Sequence, residues 1–154
     1  MKKILFGILY WILSVTWGIL MTVPGFLIVL FCMIFLKGTP HRNGYSFIVE
    51  VGGNWGGLEL GAFAICGRYA TEDGPCYSPE WFEHTRRHEF GHSLQNVVLG
   101  PFTIFLSFIP SCIHYHRFNA RQRAGVEDED YEKPWYENTA TKYGTIAVDW
   151  IEGE

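Results

Sequence analysis

Residues 86–96 have the sequence RRHEFGHSLQN, and this stretch decides how the rest of the chain is interpreted. His88 and His92 are four residues apart, and Glu89 directly follows the first histidine. Residues four apart lie on the same face of an α-helix, so the two imidazoles can bind one metal ion. Glu89 lies to the side, where its carboxylate can take a proton from a metal-bound water. The spacing therefore predicts the HExxH helix of a zinc hydrolase.

The chemistry of such a helix gives each residue a role. Zinc lowers the pKa of its bound water from about 15.7 to about 7 and polarises the scissile carbonyl. Glu89 is expected to act as the general base and to pass the proton to the leaving amine. The competing hypothesis is an amphipathic helix whose histidines are core residues. His84 extends the histidine stripe, but the helical rise puts it about 12 Å from His92, too far to share one zinc ion.

Local signals set the limits of the motif helix. Ser78 is a suitable N-cap, with Pro79 in the first turn. Gly100 and Pro101 stop a helix from continuing. The sequence therefore predicts a helix from about Pro79 to Leu99.

A catalytic zinc site takes three protein ligands and keeps one position open, so a third ligand is expected downstream. Glu137 is the best candidate because it lies in the first turn of a helix predicted from Pro134 to about Tyr143. Ala140 and Thr141 share its face and are small, which lets two helices approach closely. The alternative is an exposed glutamate favoured by the helix dipole. The other candidate ligands are His114, His116, Glu127 and Asp128.

Several polar residues are candidates for stabilising the negative charge that develops on the substrate, which requires a hydrogen-bond donor. His114 and His116 follow an apolar stretch, so they are expected either as such donors, as partners of a metal ligand, or as side chains at a membrane surface. Tyr131, Tyr136 and Tyr143 are further candidates. The residue types alone do not choose among them.

The first 38 residues are predicted to form a membrane anchor, 1–38. Residues 4–36 contain no charged side chain and are longer than the about 20 apolar residues that one spanning helix needs. Pro24 and Gly25 are the expected break. The anchor is therefore predicted as one kinked helix or as a hairpin of two helices.

Residues 39–154 are predicted to form a minimal zincin-like domain. Within it, residues 45–66 have the strand alternation and the central glycines of a β-hairpin. The apolar stretch 101–113 is expected either as a buried helix or as the start of a partly membrane-embedded segment, 101–116. Residues 117–133 are basic and then acidic, which predicts a solvated loop.

Composition argues against a nucleic-acid partner and leaves one possible disulfide. The net charge of -4 and the lack of any lysine- or arginine-rich run argue against nucleic acid as a partner. No CxxC pair occurs, so a cysteine-built zinc site is not expected. Cys66 and Cys76 flank a polar loop and are expected to pair only if that loop faces an oxidising compartment.

With HEFGH at 88–92 and a helical glutamate 45 residues beyond the second histidine, the chain resembles the gluzincins. These are zinc metallopeptidases whose third ligand is a glutamate from a later helix. The chain looks more closely like a group of small bacterial integral membrane proteins that are minimal versions of that fold. The shared stretches are TWG (16–18), VGGNWGGLELG (51–61), RHEFGHSLQNVVLGPF (87–102), IPSCIHY (109–115) and WYENTATKYG (135–144).

The resemblance implies a set of site residues. It implies one zinc ion on His88, His92 and Glu137, with Glu89 as the base. It also implies that a hairpin strand lies beside the active-site cleft and pairs with an extended substrate backbone. The residues implied at this substrate-binding edge are Asn54, Trp55, Gly56 and Gly57.

One position departs from the pattern of the gluzincins. Thr141 stands where they often have an aspartate, four residues after the glutamate ligand. A carboxylate at that place would orient His92, because histidine ligands usually donate their second N–H to such a group. Asp149 is a candidate substitute for it.

These expectations combine into one interpretation. The fold class is an α+β membrane protein with one or two N-terminal transmembrane segments, a β-hairpin, a zincin-type HExxH helix, a short apolar helix and a C-terminal helix that supplies a glutamate ligand. The function is that of a membrane-bound zinc metallopeptidase with one Zn²⁺, acting on a peptide or membrane-protein substrate in the bacterial cytoplasmic membrane and contacting the lipid bilayer. The alternatives are a non-catalytic zinc-binding membrane scaffold and a metal-dependent hydrolase of an ester or lipid amide.

Overall fold

A computed structural model of the chain describes residues 1–53, 56–67, 79–126 and 130–153. Over these residues the fold is α+β, with five α-helices and a four-stranded sheet. A 3₁₀ turn, Gly100–Phe102, and a π-helical turn, Ile104–Phe108, lie between the third and the fourth of these helices. The elements are α1 (Lys2–Val15), α2 (Ile19–Phe35), β1 (Thr39–Asn43), β2 (Ser46–Val51), β3 (Gly57–Leu60), β4 (Phe63–Gly67), α3 (Pro79–Leu99), α4 (Ile109–Arg123) and α5 (Trp135–Glu152).

The N-terminal apolar run forms two helices whose axes are bent by 94°. Helix α1 has 14 residues and α2 has 17, so each is shorter than the about 20 residues that a spanning helix needs. In the described part of the chain no single helix is long and apolar enough to cross a membrane, and only the bent pair together reaches that length and composition. The prediction of a membrane protein class is thus corrected to an α+β fold.

The break between these helices is not at Pro24 and Gly25, as predicted, but at residues 16–18. Pro24 lies inside α2. Gly25 serves a packing purpose instead, because a Cβ at this position would lie 2.1 Å from the carbonyl oxygen of Leu60. Helix α2 therefore runs directly against the end of β3.

The predicted hairpin of residues 45–66 is wrong in its pairing, although its strand segments are strands. The sheet order is β1-β2-β4-β3, so β2 and β3 are not neighbours. Strand β2 pairs antiparallel with β1 and parallel with β4, whereas β3 pairs antiparallel with β4 and forms an edge of the described sheet. The tight turns lie elsewhere, at Gly44 and Gly61, whose φ angles of 59° and 75° suit glycine.

The sheet is covered on both faces. Val49 and Val51 pack against Val29 and Cys32 of α2. The opposite face carries Ile48, Ala64 and Cys66, which pack with Phe82 of α3. A third cluster joins α1, the sheet, α3 and α5 through Tyr10, Ala62, Phe90 and Val148. Buried Cys66 has a free thiol, and Cys76 lies outside the described residues.

The predicted limits of the motif helix, Pro79–Leu99, are confirmed. Gly100, with a φ of 56°, follows its last residue. Ser78, the predicted cap, lies outside the described residues. The predicted loop 117–133 is wrong over its first part, since α4 continues to Arg123.

Helix α5 has 18 residues and ends at Glu152 instead of near Tyr143, where the prediction placed its end. Gly144 does not end it because this glycine faces α3, where an added Cβ would lie 1.9 Å from the carbonyl oxygen of Arg87. A Cβ at Gly91 would lie equally close to the carbonyl oxygen of Ala140. The backbones of α3 and α5 therefore touch at two glycines, and this contact determines where Glu137 lies.

Candidate metal centre

Three side chains from α3 and α5 meet at one point. The Nε2 atoms of His88 and His92 are 3.1 Å apart. The Oε2 atom of Glu137 lies 3.1 Å from the first and 3.3 Å from the second. The described residues thus contain a His-His-Glu group that could hold a metal ion.

The contact between α3 and α5 places the third member of this group. Glu137 lies in the first turn of α5 and is 0% exposed. It reaches His88 and His92 because Gly91 has no side chain and lets α3 lie against the backbone carbonyl of Ala140. The predicted close approach of the two helices thus occurs at Ala140, through its backbone.

Hydrogen bonds fix the orientation of the His92 ring. The side-chain nitrogen of Gln95 donates to the carbonyl oxygen of Tyr136 at 2.6 Å and to the Thr139 hydroxyl at 2.9 Å. The Gln95 Oε1 atom therefore points the other way and lies 2.9 Å from His92 Nδ1. An acceptor at that distance keeps a proton on Nδ1, so Nε2 is the nitrogen that could bind a metal. Without a metal, Nε2 can carry a second proton and donate it to Glu137.

Thr141 contacts His88 in the way that Gln95 contacts His92. Its hydroxyl lies 2.8 Å from His88 Nδ1. The residue that replaces the expected aspartate thus contacts a member of the His-His-Glu group, although it contacts His88 and not His92. The carboxylate of Asp149 accepts a hydrogen bond from Arg87, and Gln95 is the residue that contacts His92 Nδ1.

Burial and charge act in opposite directions on the two acids of the site. Burial opposes ionisation of Glu137, but hydrogen bonds from His88 and His92 outweigh it and hold the pKa of this carboxyl well below its usual value. Burial raises the pKa of Glu89, the two histidines counteract the rise, and Glu137 adds to it. Glu89 is thus a better proton acceptor than an exposed glutamate, as a general base requires.

The group opens into a cavity of about 330 Å³ between α3, α4 and β3. His88, Glu89 and His92 line it together with Gly57 of the edge strand. A Cβ at Gly57 would lie 2.1 Å from Glu89 Oε1, so this carboxylate lies directly against the strand backbone. An acid, a group that could hold a metal ion and a strand edge therefore lie at one cavity.

Other predicted site residues have different surroundings. The Nε2 atom of His114 lies 2.9 Å from the carbonyl oxygen of Tyr131. The Tyr136 hydroxyl donates to the carbonyl oxygen of Pro110 at 3.5 Å. His84 is 57% exposed and pairs with Glu132. His116 lines the cavity.

The predicted substrate edge is described only in part. Gly56 precedes β3, and its backbone N–H donates to the Tyr115 hydroxyl at 3.5 Å. Gly57 is the first residue of β3 and borders the cavity. Asn54 and Trp55 lie outside the described residues, as do the candidate ligands Glu127 and Asp128.

Sequence reasoning missed Glu59, a residue of β3 that lines the same cavity. Strand alternation suggested only an ordinary polar position there. Glu59 is 6% exposed, and neither of its carboxylate oxygens has a hydrogen-bond partner. No local signal distinguishes it, because its burial depends on β3 lying beneath α3 and not on its neighbours in sequence.

Comparison of the chain with protein-family models, with curated proteins and with solved structures gives no match. The resemblance to the gluzincins therefore stays a prediction.

Proposed function

We propose that the protein is a zinc-dependent metallopeptidase of the gluzincin type, with Glu89 as its general base. One observation carries the proposal. His88, His92 and Glu137 converge within 3.3 Å of one another, beside Glu89, in a cavity that an edge strand borders.

Zinc is the metal that this donor set suits. Two imidazole nitrogens and one carboxylate oxygen are the ligands of many catalytic zinc sites. Tetrahedral zinc with bonds of about 2.0–2.1 Å separates neighbouring ligand atoms by about 3.3–3.4 Å, close to the separations of these three atoms. In the part of the chain that the structure describes, the group has three members, which leaves one position open for a substrate. A closed, purely structural site would need a fourth ligand.

The side chains divide the proposed reaction among them. Zinc held by this group supplies a Lewis acid that polarises the scissile carbonyl and acidifies water. Glu89 accepts the proton of the attacking water and delivers it to the nitrogen of the leaving amine. Gln95 and Thr141 hold the two imidazoles in place through their Nδ1 atoms, so that each Nε2 atom stays directed at the metal.

The edge strand supports a peptide as the substrate. Strand β3 is paired on one side only within the described sheet, and it lies next to Glu89. An extended peptide that adds to such an edge gains main-chain hydrogen bonds and presents its carbonyl groups at regular intervals. That arrangement brings a peptide bond next to Glu89 and the His-His-Glu group.

The test combines metal analysis with peptide cleavage. Wild-type protein should bind one zinc ion per chain and cleave peptides of a mixed library, and a chelator should abolish the cleavage. Glu89→Gln should retain zinc and lose at least 100-fold in kcat/KM, whereas His88→Ala should lose both. His84→Ala is the matched control, since this exposed histidine lies on the same helix outside the group.

Three results would contradict the proposal. Zinc retained at full stoichiometry in both His88→Ala and Glu137→Ala would exclude the proposed ligands. Cleavage at the native rate by Glu89→Gln would remove the base. Zinc-dependent hydrolysis of ester or lipid-amide substrates, with no cleavage of peptides, would assign the centre to a non-peptide reaction.

A further inference from the structure

Two residues that line the cavity have buried acceptor atoms without donors. Glu59 lines it with both carboxylate oxygens unpaired. Asn96 lines it as well, is 1% exposed, and has an unpaired side-chain oxygen. Buried polar atoms are nearly always hydrogen-bonded, so two such residues facing one cavity point to a missing partner with N–H or O–H groups.

The position of Glu59 follows from its neighbours on β3. Alternate residues of a strand lie on the same face, so Glu59 faces α3 as Gly57 does. Gly57 touches Glu89, and the carbonyl oxygen of Gly61 accepts a hydrogen bond from Ser93. Glu59 therefore lies between Glu89 and Ser93, the residues that directly follow His88 and His92.

The polar groups next to Glu59 already form other hydrogen bonds. The Ser93 hydroxyl donates to Gly61, so the Tyr10 hydroxyl must donate to Ser93 and has no proton left for Glu59. The side-chain nitrogen of Asn96 donates to the carbonyl oxygen of Gly18 at 3.4 Å, which leaves its oxygen as an acceptor only. None of these groups supplies the donor that Glu59 lacks.

We propose that Glu59 and Asn96 form a subsite for a basic side chain of the substrate, lysine or arginine. This inference deepens the proposed function and rests on it, because it names the class of peptide that the centre would cleave. An ammonium or guanidinium group carries several N–H donors and no acceptor, which matches acceptors on both residues. The subsite shares its cavity with His88, His92 and Glu89, so a side chain that enters it brings its own peptide bond next to the base.

The charges around Glu59 also favour a basic side chain. Burial and the nearby charge of Glu89 raise the pKa of Glu59 by more than the neighbouring Ser93 hydroxyl lowers it, so an anion here is disfavoured in the empty cavity. A cation bound next to Glu59 favours its anionic form, whereas a neutral apolar side chain leaves the acceptors unpaired. A substrate side chain with a carboxylate would add a further like charge and is expected to be rejected.

The first experiment compares peptides that differ only at the residue next to the cleaved bond. Lysine and norleucine are closely similar in shape but differ in charge, and arginine and citrulline form a second such pair. In wild-type protein, kcat/KM should be at least 10-fold higher for lysine than for norleucine and for arginine than for citrulline. Glu59→Gln should reduce each ratio at least 10-fold, and Asn96→Leu should reduce it by a smaller factor.

Glu50→Gln is the matched control, because Glu50 lies on β2 beside His41 and does not line the cavity. It should leave both ratios unchanged. Equal kcat/KM for lysine and norleucine in wild-type protein would overturn the subsite. The same conclusion would follow if folded Glu59→Gln, verified by circular dichroism, kept the full preference.

A second experiment separates the subsite from the peptidase activity. The thermal midpoint of wild-type protein is measured with increasing n-butylamine and, in parallel, with n-butanol. The amine alone should raise the midpoint, and Glu59→Gln should abolish the shift while Glu50→Gln retains it. An amine-specific shift without peptide cleavage would keep the subsite and remove the proposed function. Peptide cleavage without any basic preference or amine shift would keep the function and remove the subsite.

Discussion

Glu137 and Glu59 are both buried glutamates that belong to the same site, yet they have opposite surroundings. Glu137 has one carboxylate oxygen within 3.3 Å of two imidazole nitrogens. Glu59 has no hydrogen-bond partner at either oxygen. Burial acts on both, but the histidines lower the pKa of Glu137, whereas burial and the charge of Glu89 raise that of Glu59.

The difference shows what each acid needs to be stable as an anion. Glu137 already lies among donors that a metal can replace, so its site is organised by the protein alone. Glu59 lacks any such group and becomes favourable as an anion only when a ligand brings one. Substitutions that alter either environment can therefore break this distinction.

The largest effect is expected from Gly91→Ala, which disturbs the contact that brings Glu137 to the histidines. The added Cβ would lie 1.9 Å from the carbonyl oxygen of Ala140, so α3 and α5 must move apart. Overpacking of this kind should lower the free energy of unfolding by about 3 kcal/mol, measured by urea denaturation. Zinc affinity should fall with it. Gly52→Ala, where nothing lies within 4 Å, is the control and should change neither quantity.

Glu137→Gln and Glu59→Gln should differ sharply in their effect on the metal. The first removes the charge of a ligand and should weaken zinc binding at least 100-fold, as measured by competition with a chromogenic chelator. The second lies outside the His-His-Glu group and should change zinc affinity less than 3-fold. Equal losses in the two variants would mean that Glu59 is a ligand and that the distinction is wrong.

Thr141→Val should have an intermediate effect, because it removes the hydroxyl that contacts His88 Nδ1 without changing the size of the side chain. Loss of such a partner typically costs 10- to 100-fold in metal affinity. Thr145→Val, one turn further along α5, is the matched control and should stay near the native affinity. An unchanged affinity in Thr141→Val would show that the contact with α5 alone orients His88.

The sequence predicts the parts of the molecule that depend on local signals better than those that depend on contacts far apart in the chain. The limits of α3, the shared face of His88 and His92, and the candidate Glu137 follow from local spacing and capping. The break between α1 and α2 and the pairing of β3 with β4 depend on contacts far apart in sequence. Strand alternation located β3 but could not say which face α3 would cover, and for that reason Glu59 was missed.

The smallest effect concerns pH and the stability of the metal-free protein. Because the pKa of Glu59 is raised on folding, the folded chain keeps its proton above about pH 4.5, where the unfolded chain has released it. The folded state then binds more protons than the unfolded state, and the free energy of unfolding falls as the pH rises. Glu89 from α3 and Tyr10 from α1 also face Glu59, so the wild type alone does not isolate its contribution.

The difference in unfolding free energy between Glu59→Gln and the wild type isolates this contribution, since the variant removes only this titration. Urea denaturation in the presence of a chelator at pH 4.5, 5.5, 6.5 and 7.5 should show the wild type losing stability relative to the variant at each step, until the folded-state pKa is passed. For Glu137 we expect the opposite change of the unfolding free energy with pH. Its lowered pKa stabilises the fold above about pH 4.5, and that contribution is lost as the pH falls. A difference for Glu59 that rose with pH would mean that this carboxylate has a donor, and the two glutamates would then be equivalent.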